Sequence, residues 1–290
     1  MTKSLWRLSF ALALLALAAA AVVAQDKDKS DKKFDSKFDK KSESSLECRE
    51  YRDTDRLFGH CEIKEQTLAA AGAITVDGKQ NGGISIKGWD RNEILARAKV
   101  ETRAPTQAEA NVLAQQVRIE TAALNIHAEG PESRDDYQWY VGFEIFVPRR
   151  SDLSLTAHNG GISIRDVSGR IEFQTLNGGV SLSRVGGAVR GSTTNGGVHV
   201  ELAGARWDGE ELNVRTTNGG VNLVMPDNYS AHLETSTVNG NVSSDFPLNV
   251  PLTSRGRIPK EISVDLGSGG PTIRATTTNG GVRVARASSM

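Results

Sequence analysis

The chain has 290 residues, 38% hydrophobic and 24% charged, enough apolar content for a core assembled from many thin layers. Lys plus Arg number 35 and Asp plus Glu also 35, so no field of one sign points to nucleic acid or an anionic surface as partner.

Residues 1–24 read as an export leader. Lys3 and Arg7 form a charged start, Leu8 through Ala21 an apolar run, and Val22-Val23-Ala24 a small-residue cleavage site before Gln25. No Cys closes the apolar run, so no lipid anchor is written there, and no later run approaches the roughly 20 apolar residues of a membrane helix. The expected location is periplasmic or extracellular. Residues 25–45 are a Lys, Asp, Ser and Glu tract with Phe34 and Phe38 as its only large apolar residues, which reads as a flexible charged tether.

Cys48 and Cys61 are the only cysteines. In an exported chain a single pair has one intramolecular connectivity, and closing so short a loop contributes roughly 3 kcal/mol on the chain-entropy account. The absence of Cys-x-x-Cys favours a structural staple over redox chemistry.

Residues 46–150 form the expected N-terminal cap and first coil. They hold Asn81-Gly82-Gly83 before Ile84-Ser85-Ile86, then a strand through Ile94, Ala96, Ala98 and Val100. After Pro105 the period changes: Thr106 and Glu109 match a capping box, and Ala110, Leu113, Ala114 and Val117 follow at helical spacing. Strands are expected again over Ile119–Ala128 and Tyr137–Val147, the latter with Trp139, Val141, Phe143, Ile145 and Val147 on one face.

Residues 151–290 carry the repeat. Asn-Gly-Gly or Asn-Gly-Asn begins at Asn81, Asn159, Asn177, Asn195, Asn218, Asn239 and Asn279, followed in nearly every case by aliphatic, any residue, aliphatic. Asn and Gly tolerate positive φ, which suits a tight corner. The residues after the corner, such as Val180-Ser181-Leu182 and Val221-Asn222-Leu223, alternate at period 2, as do those before it, such as Ile171-Glu172-Phe173-Gln174-Thr175. A second glycine corner recurs at Gly169, Gly186-Gly187 and Gly269-Gly270. The unit is corner, strand, corner, strand. Prolines 247, 251 and 259 mark a looped excursion before the last unit, Ile273 to Val284, after which nothing resembles a cap, leaving that edge open for pairing.

Two folds fit the unit. An antiparallel meander follows from Asn-Gly between alternating strands; a β-solenoid follows from recurrence of identical residues, because equivalent positions of successive coils then stack. The recurrence favours the second: an all-β solenoid, or parallel β-helix, with an N-terminal α+β cap carrying one short helix. The expectation includes threonine ladders through Thr193-Thr194, Thr216-Thr217 and Thr276-Thr277-Thr278.

Residue patterns for chemistry are sparse. The calcium β-roll needs Asp where these units have Ser, His, Asn or Arg between the aliphatic pair. His60, His127, His158, His199 and His232 show no pair at metal-binding spacing. No glycine loop opens a helix to cradle phosphate, and no Gly-x-Ser-x-Gly elbow supports serine hydrolysis. No cofactor, metal or catalytic residue is therefore assigned. The alternative enzyme reading, polysaccharide cleavage on a β-helix, would use Asp166, Trp207, Asp208, Glu210 and Glu211, whereas the run Arg206-Trp207-Asp208-Gly209-Glu210 reads rather as an inserted surface loop. The non-catalytic reading offers an exposed polar row, Ser163, Ser181, His199, Asn222, Ser243 and Arg283, to a glycan or an envelope protein.

With its leader, helix-bearing cap and stacked Thr-Thr-Asn-Gly-Gly-Val units, the chain resembles the bacterial putative-adhesin family of unknown function over about residues 74–285, most strongly 151–285. The resemblance implies a single-stranded β-helix fold and adhesion or envelope interaction; a scaffold or stress-response partner in the envelope is the other alternative. That family has no agreed site residues, so none carries over.

Overall fold

The alternation of aliphatic and polar residues forms strands along most of the chain. The computed structural model describes residues 46–48 and 57–287; the expected leader (1–24) and tether (25–45) lie outside the described residues. In chain order the elements are β1 (Phe58–Ala69), β2 (Ile74–Asp77), β3 (Ile84–Trp89), β4 (Glu93–Ala104), α1 (Gln107–Gln116), β5 (Arg118–Glu120), β6 (Asn125–Glu129) and β7 (Gln138–Pro148). The repeats supply β8 (Leu153–Ala157), β9 (Ile162–Arg165), β10 (Ser168–Thr175), β11 (Val180–Ser183), β12 (Gly186–Asn195), β13 (Val198–Glu201), β14 (Glu211–Asn218) and β15 (Val221–Met225). They end with β16 (Ala231–Asn239), β17 (Val242–Ser244), β18 (Glu261–Leu266), β19 (Thr272–Asn279) and β20 (Val282–Arg286).

These strands make two ten-stranded sheets, mostly parallel, and the fold is β-solenoid-like. The first sheet runs β1, β4, β7, β3, β9, β11, β13, β15, β20, β17, and the second β18, β16, β19, β14, β12, β10, β8, β2, β6, β5. Each unit leaves the second sheet at its Asn corner and enters the first. Like residues stack on like. Ile84, Ile162, Val180, Val198, Val221, Val282 and Val242 form one inward column of the first sheet, and Leu153, Ile171, Val189, Leu212, Ile273 and Leu233 one of the second. All thirteen are buried, and each contributes about 1.5–3 kcal/mol of transfer free energy. Where a column cannot hold two large groups it alternates: the Phe173 ring fills the space of a side chain on Gly191, whose Cβ would lie 2.3 Å from Phe173 Cδ2.

The order of coils departs from the order of sequence at both ends. The unit at Asn279 does not close the stack. β19 lies between β14 and β16, and β20 between β15 and β17, so this last unit is inserted beneath its predecessor. The edge expected to be open after Ala285 is thus interior, and the end is formed by β16, β17, the antiparallel β18 and the 245–260 excursion. Phe246, Leu248, Val250 and Ile258 of that excursion pack against the core, which supplies the cover the sequence did not suggest. The N-terminal end mirrors this: β2 sits between β6 and β8, and β3 between β7 and β9.

The N-terminal end is closed by antiparallel strands and the helix. β1 pairs with β4 and β4 with β7. Thr106 caps α1 by accepting from the Glu109 N–H at 3.2 Å, and Ala110, Leu113 and Ala114 are buried. Lys64 Nζ donates to the Ala114 and Val117 carbonyls at 3.0 and 2.6 Å, satisfying acceptors at the helix C-terminus. The single strand expected over Ile119–Ala128 is instead a hairpin of β5 and β6, because Ala123 and Leu124 at φ 49° and 58° reverse the chain. Cys48 and Cys61 are disulfide-bonded with Cα atoms 5.7 Å apart, tying the start of the described chain to the edge strand β1.

The inserted last unit makes a specific demand. Removing residues 272–290 deletes β19 and β20, strips β17 of the strand it pairs with and leaves β16 joined only to β18, cut off from the rest of its sheet. Limited proteolysis of that truncation is expected to cleave throughout residues 227–271, whereas a stack in sequence order would keep that region protected.

Candidate functional site

The two corners of each coil form two columns, and polar chemistry collects on them. At the first corner the seven asparagines are aligned. Nδ2 of Asn159 donates to Oδ1 of Asn81 at 3.1 Å, Asn177 to Asn159 at 2.8 Å, Asn195 to Asn177 at 2.7 Å and Asn218 to Asn195 at 2.8 Å. Asn279 then donates to Asn218 at 2.7 Å and Asn239 to Asn279 at 2.8 Å, repeating the inverted coil order. The threonines two positions earlier bond main chain rather than each other. Thr175, Thr193, Thr216, Thr277 and Thr237 donate to the carbonyls of Gly160, Gly178, Gly196, Gly219 and Gly280 at 2.7–2.8 Å.

The glycine after each Asn is required by space, not by φ. A Cβ on Gly160, Gly178, Gly196, Gly219 or Gly280 would lie 2.1 Å from the carbonyl oxygen of the corner glycine in the adjacent coil. Among these only Gly280 has positive φ, at 157°, and none of the seven asparagines does. The need for positive φ falls at the second corner, where Gly169, Gly187 and Gly209 take φ 157°, 96° and 147° and also leave no room for Cβ.

Those three glycines floor a groove of about 790 Å³ lined by Arg149, Arg150, Asp152, Asp166, Arg184 and Asp208 among others. A second hollow of about 490 Å³ shares Gly169, Gly187 and Gly209 and adds Arg170, Glu172, Arg190 and Glu210. Along one wall runs a stacked ion chain. Arg149 Nε lies 2.7 Å from Asp90 Oδ1, and Arg184 binds Asp166 in a fork at 2.7 and 2.9 Å. Arg149 also approaches Asp166 at 3.8 Å. Asp166 and Arg184 hold left-handed backbone, φ 59° and 51°, and the fork fixes these two corner residues one above the other. The Arg184 hydrogen bond, with the charges of Arg184 and Arg149, holds the Asp166 carboxyl below the ordinary carboxylate range against the opposing effect of burial. Arg149 does the same for Asp90.

The sequence-derived candidates distribute unevenly over this geometry. Asp166 and Asp208 line the groove and Glu210 its continuation. Glu211 is paired with Arg190. Trp207 is no surface platform: it is 3% exposed and its indole Nε1 donates to the Gly187 carbonyl at 3.0 Å, anchoring the corner. The polar row Ser163, Ser181, His199, Asn222, Arg283 and Ser243 is aligned in register, yet Asn222 is buried and only Ser243 is fully exposed, so the row is not an open face. The arginines of the groove were missed. A signal existed in Arg149-Arg150, Arg170, Arg184 and Arg190 recurring beside the second glycine corner.

The family described as Toastrack DUF4097 matches residues 64–285. The chain belongs to this family. No curated protein matches it. Among solved structures, this Toastrack chain is similar to a putative cell adhesion protein from Clostridium sporogenes, at 11% identity and TM-score 0.37, covering 79% of this chain and 100% of that one. A putative adhesin from Bacteroides fragilis has 8% identity and TM-score 0.32 over 78% and 97% of the two chains. A putative lipid binding protein from Parabacteroides distasonis has 8% and 0.37 over 77% and 96%.

Four substitutions test the corners of this Toastrack fold. Gly178→Ala drives Cβ into main chain and is expected to cost about 2–3 kcal/mol in denaturant unfolding. Asn177→Ala, which loses two ladder bonds, costs about 1–2 kcal/mol, and Asn239→Ala, at the end of the column, about half of that. The lowered Asp166 carboxyl contributes stability that is present above its ordinary value near pH 4 and is lost as pH falls through its folded value. Asp166→Asn is therefore expected to lower Tm at pH 7 and to flatten its fall between pH 4 and pH 2, measured by thermal unfolding across that range.

Proposed function

We propose that this chain is an exported β-solenoid of the single-stranded parallel β-helix type that serves, through a groove that binds without catalysis, as an adhesin-like module of the cell envelope. The observation carrying the reading is the groove along the second corner column. It is shallow, floored by the main chain of Gly169, Gly187 and Gly209, and lined by arginines alternating with carboxylates. Such a surface suits an extended polar chain, a glycan strand above all, contacted through many modest hydrogen bonds. The disulfide and the leader support export. The ion-paired Asp166, held ionised, is unsuited to the general-acid role of a glycosidase, whose carboxyl is raised.

The test is retention of the chain on immobilised envelope polysaccharides and envelope protein extracts, beside a variant carrying Arg150→Glu and Arg170→Glu. Both arginines are exposed, so Tm is expected to stay within about 2 °C while retention falls at least tenfold, near 1.4 kcal/mol. Unchanged retention by the double variant removes the groove as the contact surface, and release of reducing sugar would replace binding by catalysis.

A further inference from the structure

The C-terminal end carries a constellation that the corner groove does not use. His232 stands on β16, and Ser263 and Asp265 stand on the antiparallel β18; register sets His232 opposite Asp265 and Glu234 opposite Ser263. Period-2 geometry turns all four to the outer face of the second sheet. His232 Nδ1 lies 2.7 Å from Asp265 Oδ1, and His232 Nε2 lies 3.1 Å from Ser263 Oγ. A carboxylate on Nδ1 selects the tautomer that leaves Nε2 free to accept a hydroxyl proton. Glu234 Oε1 is 3.6 Å from the same Nε2, but Arg274 Nε holds the other Glu234 oxygen at 2.6 Å. Ser263 is the nearer partner.

The strand itself supplies a second feature. The Thr237 N–H donates to the Lys260 carbonyl at 2.9 Å, which fixes the hydrogen-bonding parity of the pair: alternate residues from 260 face β16, and Ser263 and Asp265 face away. Among the described residues β18 is the last strand of its sheet, so the Ser263 N–H points to the open edge, with no described strand beyond it. One residue thus presents a hydroxyl bonded to imidazole and a main-chain donor, the nucleophile and oxyanion partner of acyl transfer.

We propose that Ser263, His232 and Asp265 form an acyl-transfer site on the open edge of the second sheet, taking small carboxylic esters. Ser263 Oγ bonds to the ester carbonyl carbon while His232 Nε2 takes the hydroxyl proton. The carbon–oxygen bond to the alkoxide breaks, and the alkoxide leaves as alcohol with that proton. Water then adds to the acyl-serine and gives its proton to Nε2; the carboxylic acid departs as Oγ recovers the proton. Asp265 acts through His232 and is a positioning residue. With the His232 side chain 33% exposed and that of Asp265 67%, the site lies on an open surface, which suits compact esters over polymers that need a cleft.

The experiment treats the full chain with a fluorophosphonate and, separately, with p-nitrophenyl acetate. The phosphonyl adduct is expected on Ser263 by peptide mass mapping. Nitrophenol release is expected to fall about 100-fold in Ser263→Ala and in His232→Gln, and Asp265→Asn is expected to lower kcat with KM unchanged. An adduct elsewhere, no adduct, or equal hydrolysis by Ser263→Ala and the unaltered chain would overturn the site. Should His232→Gln unfold the edge, Ser263→Ala, which removes one exposed hydroxyl, still decides.

Discussion

Main chain against main chain at the corners is the contact on which the structure depends. A carbonyl sits 2.1 Å from where a Cβ would stand on five successive corner glycines, so the coils close to strand spacing only because those positions lack side chains. That approach brings each Asn amide within bonding distance of the next and, in five coils, the Thr hydroxyl two positions before the Asn within reach of a glycine carbonyl. It also sets Val on Val and Leu on Ile inside. Glycine, asparagine, threonine and valine recur together because one spacing imposes all four.

This explains why the repeat could be read in the chain while its stacking order could not. Corners, strand alternation and the Thr106 cap are local: each is decided by residues within one unit. The insertion of β19 beneath β16 is a choice between pairings of nearly identical strands. Thr237 and Thr277 could each stack on Thr216, and nothing near Asn239 or Asn279 marks which unit lies outermost. The reason for glycine was equally hidden, because crowding by a coil 18 or more residues away leaves the same letter as a demand for positive φ.

The candidate sites fall on either side of the same divide. Asp166 and Asp208 were visible as surface acids, but their groove arises only when Gly169, Gly187 and Gly209 line up. Trp207, placed beside Asp208 and Glu210, reads as a loop residue until its indole is seen turned inward to the Gly187 carbonyl. His232 meets Ser263 and Asp265 across 31 and 33 positions, and only because β18 turns antiparallel where the other repeat strands run parallel. A motif search along the chain has no means of finding that pairing.

The asparagine column has a sense as well as a spacing. Each amide gives a proton in one direction and receives from the other, so the six bonds add head to tail as peptide dipoles do along a helix. The column ends in a spare N–H pair on Asn81 and a spare oxygen on Asn239, making the first end partially positive and the second partially negative. Lys260 stands at the second, its ammonium 2.6 Å from the Val238 carbonyl next to Asn239. A side-chain array has thereby acquired the polarity of a secondary-structure element, with a cation at its electronegative terminus.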